Sequence, residues 1–269
     1  MKQRIDTWLV EQGYFESREK AQRAIMAGEV SIGGKRIEKP GQTVDPGSQP
    51  VTVTTGGPQY VSRGAHKLAK ALTGFGIAVA GRICLDAGAS TGGFTDLLLQ
   101  SGAAGVYAVD VGYGQLAWKL RQDPRVTVFE RENIRYFDSS RLPEPPDLIT
   151  ADLSFISLEL VLPKFRDLIR PGGELITLIK PQFEAGKEKV GKKGVVRDSG
   201  VHCEVLQRLI RNGPGLGWKL MGLTFSPIRG PEGNIEYLGH WRLAAEHPAA
   251  PDLEPDRVVA EAWRALQDA

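Results

Sequence analysis

The spacing of apolar residues divides the chain into a small unit and a larger one. In residues 4–13, Ile5, Leu9 and Val10 share one helical face, and Gly13 follows as a stop signal. Ser17 offers an N-cap for a second helix over residues 18–27, closed by Gly28. Val30 and Ile32 read as a short strand, Gly33-Gly34 as a hairpin turn into Arg36-Ile37, and Val51–Val53 as another strand. This α+β unit spans residues 1–57 and ends at Gly56-Gly57-Pro58, where breakers suit a linker over 58–63.

A different regime begins with a helix at about 64–75. Strands are predicted at Arg82–Ala87, Gly105–Val109, Val126–Glu130, Asp147–Ala151 and Glu174–Ile179, with helices at 93–101, 114–121, 158–169 and 198–212. Short apolar strands alternating with amphipathic helices imply a parallel sheet covered on both faces. Trp218–Ser226 and Ile235–Leu243, joined by a Pro/Gly-rich loop, add an antiparallel edge. The expectation is an α/β, Rossmann-like domain over 64–245 with a seven-stranded, mostly parallel sheet. A Pro-rich spacer and an amphipathic helix at 255–268 complete residues 246–269.

Composition narrows the function classes. The chain is 41% hydrophobic and 25% charged, ordinary values for a globular protein. No apolar run approaches the roughly 18 residues of a membrane span, and MKQRIDTWLV lacks the apolar core of a signal peptide, so a cytoplasmic protein without a membrane partner is expected. Cys84, Cys203 and the four histidines form no ligand spacing, so no metal is expected. Net charge is only +2, but no acid occurs between Asp45 and Asp86, where Arg63, Lys67, Lys70 and Arg82 lie. A second basic stretch holds Lys180, Lys187, Lys189, Lys192, Lys193 and Arg197. Two such patches could flank a phosphate backbone or be solvated surface.

The strongest local signal runs from Leu85 through Asp86, Gly88, Ser90, Gly92 and Gly93 to Phe94, between a strand and a helix. That is where an open α/β sheet binds a nucleotide. An acid directly before the loop would repel a pyrophosphate and suits a cofactor with an ammonium group and no phosphate, as in S-adenosylmethionine. Asp110, 24 positions after Asp86, ends the second strand where an acid reaches a ribose diol. Asn133 follows the third strand, where an adenine edge would lie, and Asp152 follows the fourth. The alternative is that these acids merely begin loops.

Lys67, Asp152, Lys180 and Glu236 could converge at the carboxyl ends of the strands, although each alone could be an exposed charge. Together they suit a ribose hydroxyl, a poor nucleophile until its proton is removed. A lysine serves as base or orienter there if a second ammonium tunes it, with the two carboxylates orienting the amines. In this reading Lys180 meets the 2′-oxygen and Lys67 tunes it. Phe155, in Asp152-Leu153-Ser154-Phe155, could stack on a flipped base or sit in the core. The Asn-Pro-Pro-aromatic loop or cysteine nucleophile that suits base methylation is absent.

These stretches, with Arg63-Gly64-Ala65-His66-Lys67-Leu68, Asp110 to Leu116, Lys180 to Glu184 and Gly233 to Tyr237, resemble the TlyA family over nearly the whole chain. That family comprises two-domain bacterial RNA methyltransferases often labelled hemolysins. The N-terminal unit resembles an S4 RNA-binding domain. The resemblance implies 2′-O-methylation of cytidine in ribosomal RNA, with Lys67, Asp152, Lys180 and Glu236 matching the tetrad of FtsJ-like enzymes. It places Arg4, Ser17, Arg18 and Lys39 against the RNA backbone; Arg63, and Arg131 and Arg135 beside the third strand, are further candidates for RNA contact. Members with a short basic N-terminal extension modify both subunits. Here the S4 motif begins at Arg4, so the 50S subunit is the expected partner and 23S rRNA the expected target over 16S. A membrane-lysing protein and an inactive assembly factor are the competing classes. The lack of a span weighs against the first, and the intact loop and lysine pair against the second.

Overall fold

The computed structural model describes residues 3–15, 17–45, 50–53, 60–246 and 251–266. Contacts divide the chain between residues 59 and 60 into two compact units. The linker residues Gly56, Gly57 and Pro58, and the spacer positions 247–250, lie outside the described residues.

The first unit contains β1 (Gln3–Arg4), α1 (Ile5–Glu11), α2 (Arg18–Ala27), β2 (Val30–Ile32), β3 (Lys35–Arg36), β4 (Thr43–Val44) and β5 (Val51–Val53). Ser17 accepts the Lys20 amide at 3.3 Å and so satisfies one open donor of α2, a cap worth about 1 kcal/mol. Gly28 closes α2 at φ +79°. The helices pack through Ile5, Leu9, Ala21 and Ile25 onto Val30 and Ile32, all but fully buried. β2 lies between β3 and β5, while β1 pairs with β4, a two-residue ladder that periodicity does not reveal.

The second unit begins with α3 (Ala65–Phe75), followed by β6 (Ile83–Ala87), α4 (Gly93–Gln100), β7 (Gly105–Asp110), α5 (Trp118–Arg121) and β8 (Val126–Glu130). β9 (Leu148–Ala151), α6 (Leu162–Leu168), β10 (Glu174–Ile179), α7 (Pro181–Glu184), α8 (Ser199–Asn212), β11 (Trp218–Phe225), β12 (Tyr237–Leu243) and α9 (Pro255–Ala265) complete it. The sheet order is β11-β12-β10-β9-β6-β7-β8, with β6 to β10 parallel and β12 antiparallel to both neighbours. The expected seven-stranded sheet is present, and the second strand of the hairpin, not the first, joins the parallel block.

Successive strand residues feed opposite faces. Leu85, Tyr107, Ile149 and Leu175 enter one core with Phe165, Trp218 and Trp241. Cys84, Val106, Leu148 and Ile176 enter the other with Leu68, Leu97 and Leu98. Both faces are buried, which is why these strands read as continuous apolar runs. The chain steps outward from β6 to β7 and β8, then returns to β9 on the other side of β6. Loops leaving β6 and β9 therefore part at the sheet's switch point, where a crevice opens.

Two helices are shorter than periodicity suggests. Residues 111–117 form a bent loop, in which Asp110 accepts the Gly112 amide at 2.6 Å and Glu130 accepts that of Gly114 at 2.8 Å. The helix expected over 158–169 starts as a 3-10 turn at Leu158–Leu160, and α6 starts only at Leu162, with Pro163 in its first turn. α9 packs on α8 and β11 within the same unit. Among the described residues no helix is long and apolar enough to cross a membrane.

Candidate active site

Four side chains brought together from separate elements define the crevice. Lys67, from α3, places Nζ 2.7 Å from Glu236 Oε2 and 3.6 Å from Asp152 Oδ2. Lys180, at the end of β10, places Nζ 2.6 Å from Asp152 Oδ1 and donates to Ser154 Oγ at 3.1 Å. Both lysines and Glu236 are buried, whereas Asp152 is partly open. Two ammonium groups and two carboxylates balance, which makes burial tolerable. All four line one pocket with Ser62, Arg63, Gly88 and Ser154. Ser154 is a member that sequence reasoning passed over, although Asp-Leu-Ser-Phe contains it.

A second pocket shares Gly88, Ser90, Asp152 and Ser154 with the first, and continues past Asp110, Asn133 and Phe155. Gly88 has φ +82°, and a Cβ there would stand 2.6 Å from the Asp152 carbonyl oxygen. The β6 and β9 loops thus touch at a point where only glycine fits. Asp110 accepts the amides of Ser90 at 2.8 Å and Gly112 at 2.6 Å, and each oxygen keeps lone-pair capacity towards the crevice. Asn133 caps the following 3-10 turn by accepting from Arg135 at 3.0 Å. Gly92 opens α4 at φ +96° but packs on Leu120 and Leu116, and Gly93 lies against Ser62 at the pocket wall.

Asp86 departs from the role expected of it. Its carboxylate is fully buried, absent from both pocket walls, and accepts Thr95 N at 3.0 Å and Thr95 Oγ1 at 2.7 Å. Thr95 is the third residue of α4, whose N-cap position, Gly92, has no side chain to cap it. Asp86 supplies the missing cap from the neighbouring strand. Burial pushes its carboxyl up to about 7, against the opposing pull of Thr95, with the Asp152 charge adding to the rise. The carboxylate thus supports the loop from below and does not line either pocket.

Phe155 is 90% exposed, which excludes the core reading. It adopts φ +63° and rests 5.0 Å from the Phe183 ring. Arg131 is exposed, has φ +58° and stacks over Tyr113 at 4.4 Å, while Arg135 lies over Tyr136 at 5.4 Å. The first basic stretch does not form one continuous patch. Arg82 pairs with Glu174 at 3.0 Å at the far end of the sheet, and Lys70 covers the Phe225 ring at 3.3 Å. Lys189 pairs with Glu204, leaving Lys187, Lys192 and Lys193 exposed around it.

In the first unit, Asp6 is buried and accepts from Arg4 at 2.9 Å, Arg18 at 3.0 Å and Gln22 at 2.8 Å. The Arg4 hydrogen bond holds its carboxyl well below the usual range, aided by Gln22 and Arg18 against the cost of burial. Both guanidinium groups remain about half exposed, with side-chain exposures of 48% and 52%. Lys39 is exposed, whereas the Ser17 hydroxyl is committed to its helix cap.

A crevice at the switch point, walled by facing lysines, belongs to a family that sequence comparison identifies. The FtsJ-like methyltransferase model matches residues 60–243, and the S4 domain model matches residues 3–49. The chain is thus an S-adenosylmethionine-dependent methyltransferase with an S4 domain. It belongs to the TlyA family. It is 49% identical over 234 residues to the 16S/23S rRNA (cytidine-2′-O)-methyltransferase TlyA of Mycobacterium tuberculosis, covering 87% of each chain. It is 40% identical over 183 residues to the 23S rRNA (cytidine-2′-O)-methyltransferase TlyA of Campylobacter jejuni, covering 68% of this chain and 70% of that one. A solved Streptococcus thermophilus structure named as a hemolysin superposes with a TM-score of 0.76 at 43% identity, covering 99% and 97% of the two chains.

Proposed function

We propose that the chain methylates the ribose 2′-oxygen of a cytidine in ribosomal RNA, in 23S rather than 16S. The observation that carries this reading is the placement of Lys67, Asp152, Lys180 and Glu236 on one wall that also borders the second pocket. S-adenosylmethionine supplies a sulfonium methyl that needs no activation, so the chain's own work is alignment and proton removal. Asp110 and Asn133, which line the second pocket with Gly88, are the groups for a ribose diol and an adenine edge. Ser90 and Gly93 border the crevice, and Asp86 and Gly92 shape its loop from beneath.

Lys180, held by Asp152 and Ser154, faces the pocket where the 2′-hydroxyl would enter; as an ammonium it orients the oxygen, and only as a neutral amine would it accept the proton. Glu236 and Asp152 hold Lys67 close by, so the two amines share the local negative charge. Phe155 offers an aromatic face at the rim for the target base. Arg63, Arg131 and Arg135 on this unit, and Arg4, Arg18 and Lys39 on the S4 unit, are the cations for the RNA backbone. The 23S preference rests on the relatives: large-subunit RNA is the substrate common to both names.

The test is methyl transfer from labelled S-adenosylmethionine to separated 30S and 50S subunits and to the free rRNAs, with wild type and Lys180→Ala. Label on a 23S cytidine ribose that vanishes in the variant is the expected result. Label only on 16S RNA would overturn the subunit assignment, and label on no rRNA would overturn the activity.

A further inference from the structure

The motif that follows Lys180 ends in Glu184, a carboxylate for which methyl transfer gives no role. Its side chain is 1% exposed, and its oxygens meet donors from two other parts of the fold. Oε2 accepts from Ser157 Oγ at 2.7 Å, and Oε1 accepts from the Leu158 amide at 2.7 Å. Arg208, on α8, donates to Oε2 at 3.2 Å and to the Glu184 carbonyl at 2.7 Å. Burial raises its carboxyl above the ordinary glutamate value, against the pull of the Leu158 amide, Ser157 and Arg208.

What Glu184 holds is the segment from Asp152 to Leu158. One end is fixed where the Asp152 amide donates to the Ala87 carbonyl at 3.0 Å. The other end is Ser157 and Leu158, fixed by Glu184. Between them lie Ser154, which accepts from Lys180, and Phe155, in left-handed backbone conformation and almost fully exposed. A non-glycine residue at φ +63° costs about 1–3 kcal/mol and persists only where its surroundings over-determine it. An exposed side chain cannot supply that constraint, so the ends of the segment must. α7 carries both Glu184 and Phe183, the ring beside Phe155, one turn after Lys180.

We propose that Glu184 is a positioning residue, which with Arg208 clamps the Ser154–Phe155 segment against α7 and so fixes the Phe155 ring and the Lys180 partner for the target nucleoside. The proposal rests on the methyltransferase reading of the crevice. It goes further in making the rim segment around Ser154 and Phe155, which also walls the second pocket, depend on Glu184.

Two measurements on the full chain test it. In the first, para-fluorophenylalanine is placed site-specifically at position 155 and read by fluorine NMR without RNA. Glu184→Ala should shift or broaden the resonance, and Glu184→Gln, which keeps one acceptor, should fall between it and wild type. A resonance unchanged by Glu184→Ala overturns the clamp whether or not any rRNA is methylated. In the second, Glu184→Ala should raise the KM for rRNA about tenfold or more, a clearly larger factor than any loss of S-adenosylmethionine affinity, and Glu184→Gln should recover part of the loss. In a Phe155→Ala background the same substitution should add little, because both act through one ring. Loss of cofactor affinity in step with activity, or fully additive effects, would overturn the positioning role.

Discussion

Asp152 stands between two ammonium groups, 2.6 Å from Lys180 and 3.6 Å from Lys67. The two substitutions that break this arrangement differ in an informative way. Lys180 lines only the pocket assigned to the acceptor, while Asp152 lines both. Lys180→Ala should therefore lower the methylation rate by about a hundred- to ten-thousandfold and leave calorimetric S-adenosylmethionine affinity near wild type. Asp152→Asn should impair both. A Lys180→Ala enzyme with most of its rate intact would remove the lysine from the proposed chemistry.

Asp86 makes stability depend on pH in a predictable direction. Its folded carboxyl, at about 7, lies above the ordinary 3.8 because burial disfavours the charge, so between those values the folded state binds more protons than the unfolded one. Its contribution is therefore most favourable below about pH 4 and is lost as pH rises to about 7. Asp86→Asn keeps an acceptor for Thr95 and removes that term. Relative to wild type, the cofactor-free variant should gain stability from acid to pH 8, by at most about 4 kcal/mol. Parallel thermal melts across that range would refute the assignment.

Gly88→Ala tests the contact between loops. The added methyl would meet the Asp152 carbonyl oxygen at 2.6 Å, at a backbone conformation that disfavours alanine. A loss of about 1–3 kcal/mol in stability is expected, together with a marked loss of cofactor affinity. Gly114→Ala is the control, since φ is +70° but nothing lies within 4 Å of a Cβ there. Equal cofactor affinities for the two variants would show that strain alone, not crowding, governs the site.

The sequence revealed most where its signals are local. α2 was legible because Ser17 and Gly28 mark its ends, and the five parallel strands because both their faces are apolar. The last turn of the helix expected over 114–121 is α5, but its start was misread, because side chains of Asp110 and Glu130 from neighbouring strand ends hold the Gly112 and Gly114 amides in a bent loop. Asp152, Lys180 and Glu236 were readable as charges at strand ends and Lys67 as a charge on the helix before the sheet, but Ser154 was invisible until Lys180 had a direction. Asp86 was recognised as important and pointed the wrong way. Parity along β6 carried the correction, since Asp86 shares its face with Cys84, whose core includes Leu97 and Leu98 of α4.

In the S4 unit, Asp6 aims two guanidinium groups that remain half exposed. Arg18→Ala and Arg4→Ala should each weaken rRNA binding and reduce the slope of log affinity against log salt by about one. Asp6→Asn removes the shared anion and leaves the arginines free to move, so it should destabilise the unit while keeping most of the salt slope. An unchanged slope in both arginine variants would place the RNA on another surface.

Phe155 separates function from stability within one residue. Its ring is 90% exposed, so removing it forfeits almost no buried area, and Phe155→Ala should change the melting free energy by less than about 0.5 kcal/mol. Phe155→Gly should be as stable or more so, because glycine adopts φ +63° without strain. Both should nevertheless lose rRNA methylation, with the loss concentrated in KM for RNA if the ring stacks on the target base. Phe155→Trp, which keeps an aromatic face, should retain more activity than Phe155→Leu, which keeps only bulk. If leucine and tryptophan serve equally well, the residue acts as a wedge, and the stacking role is wrong.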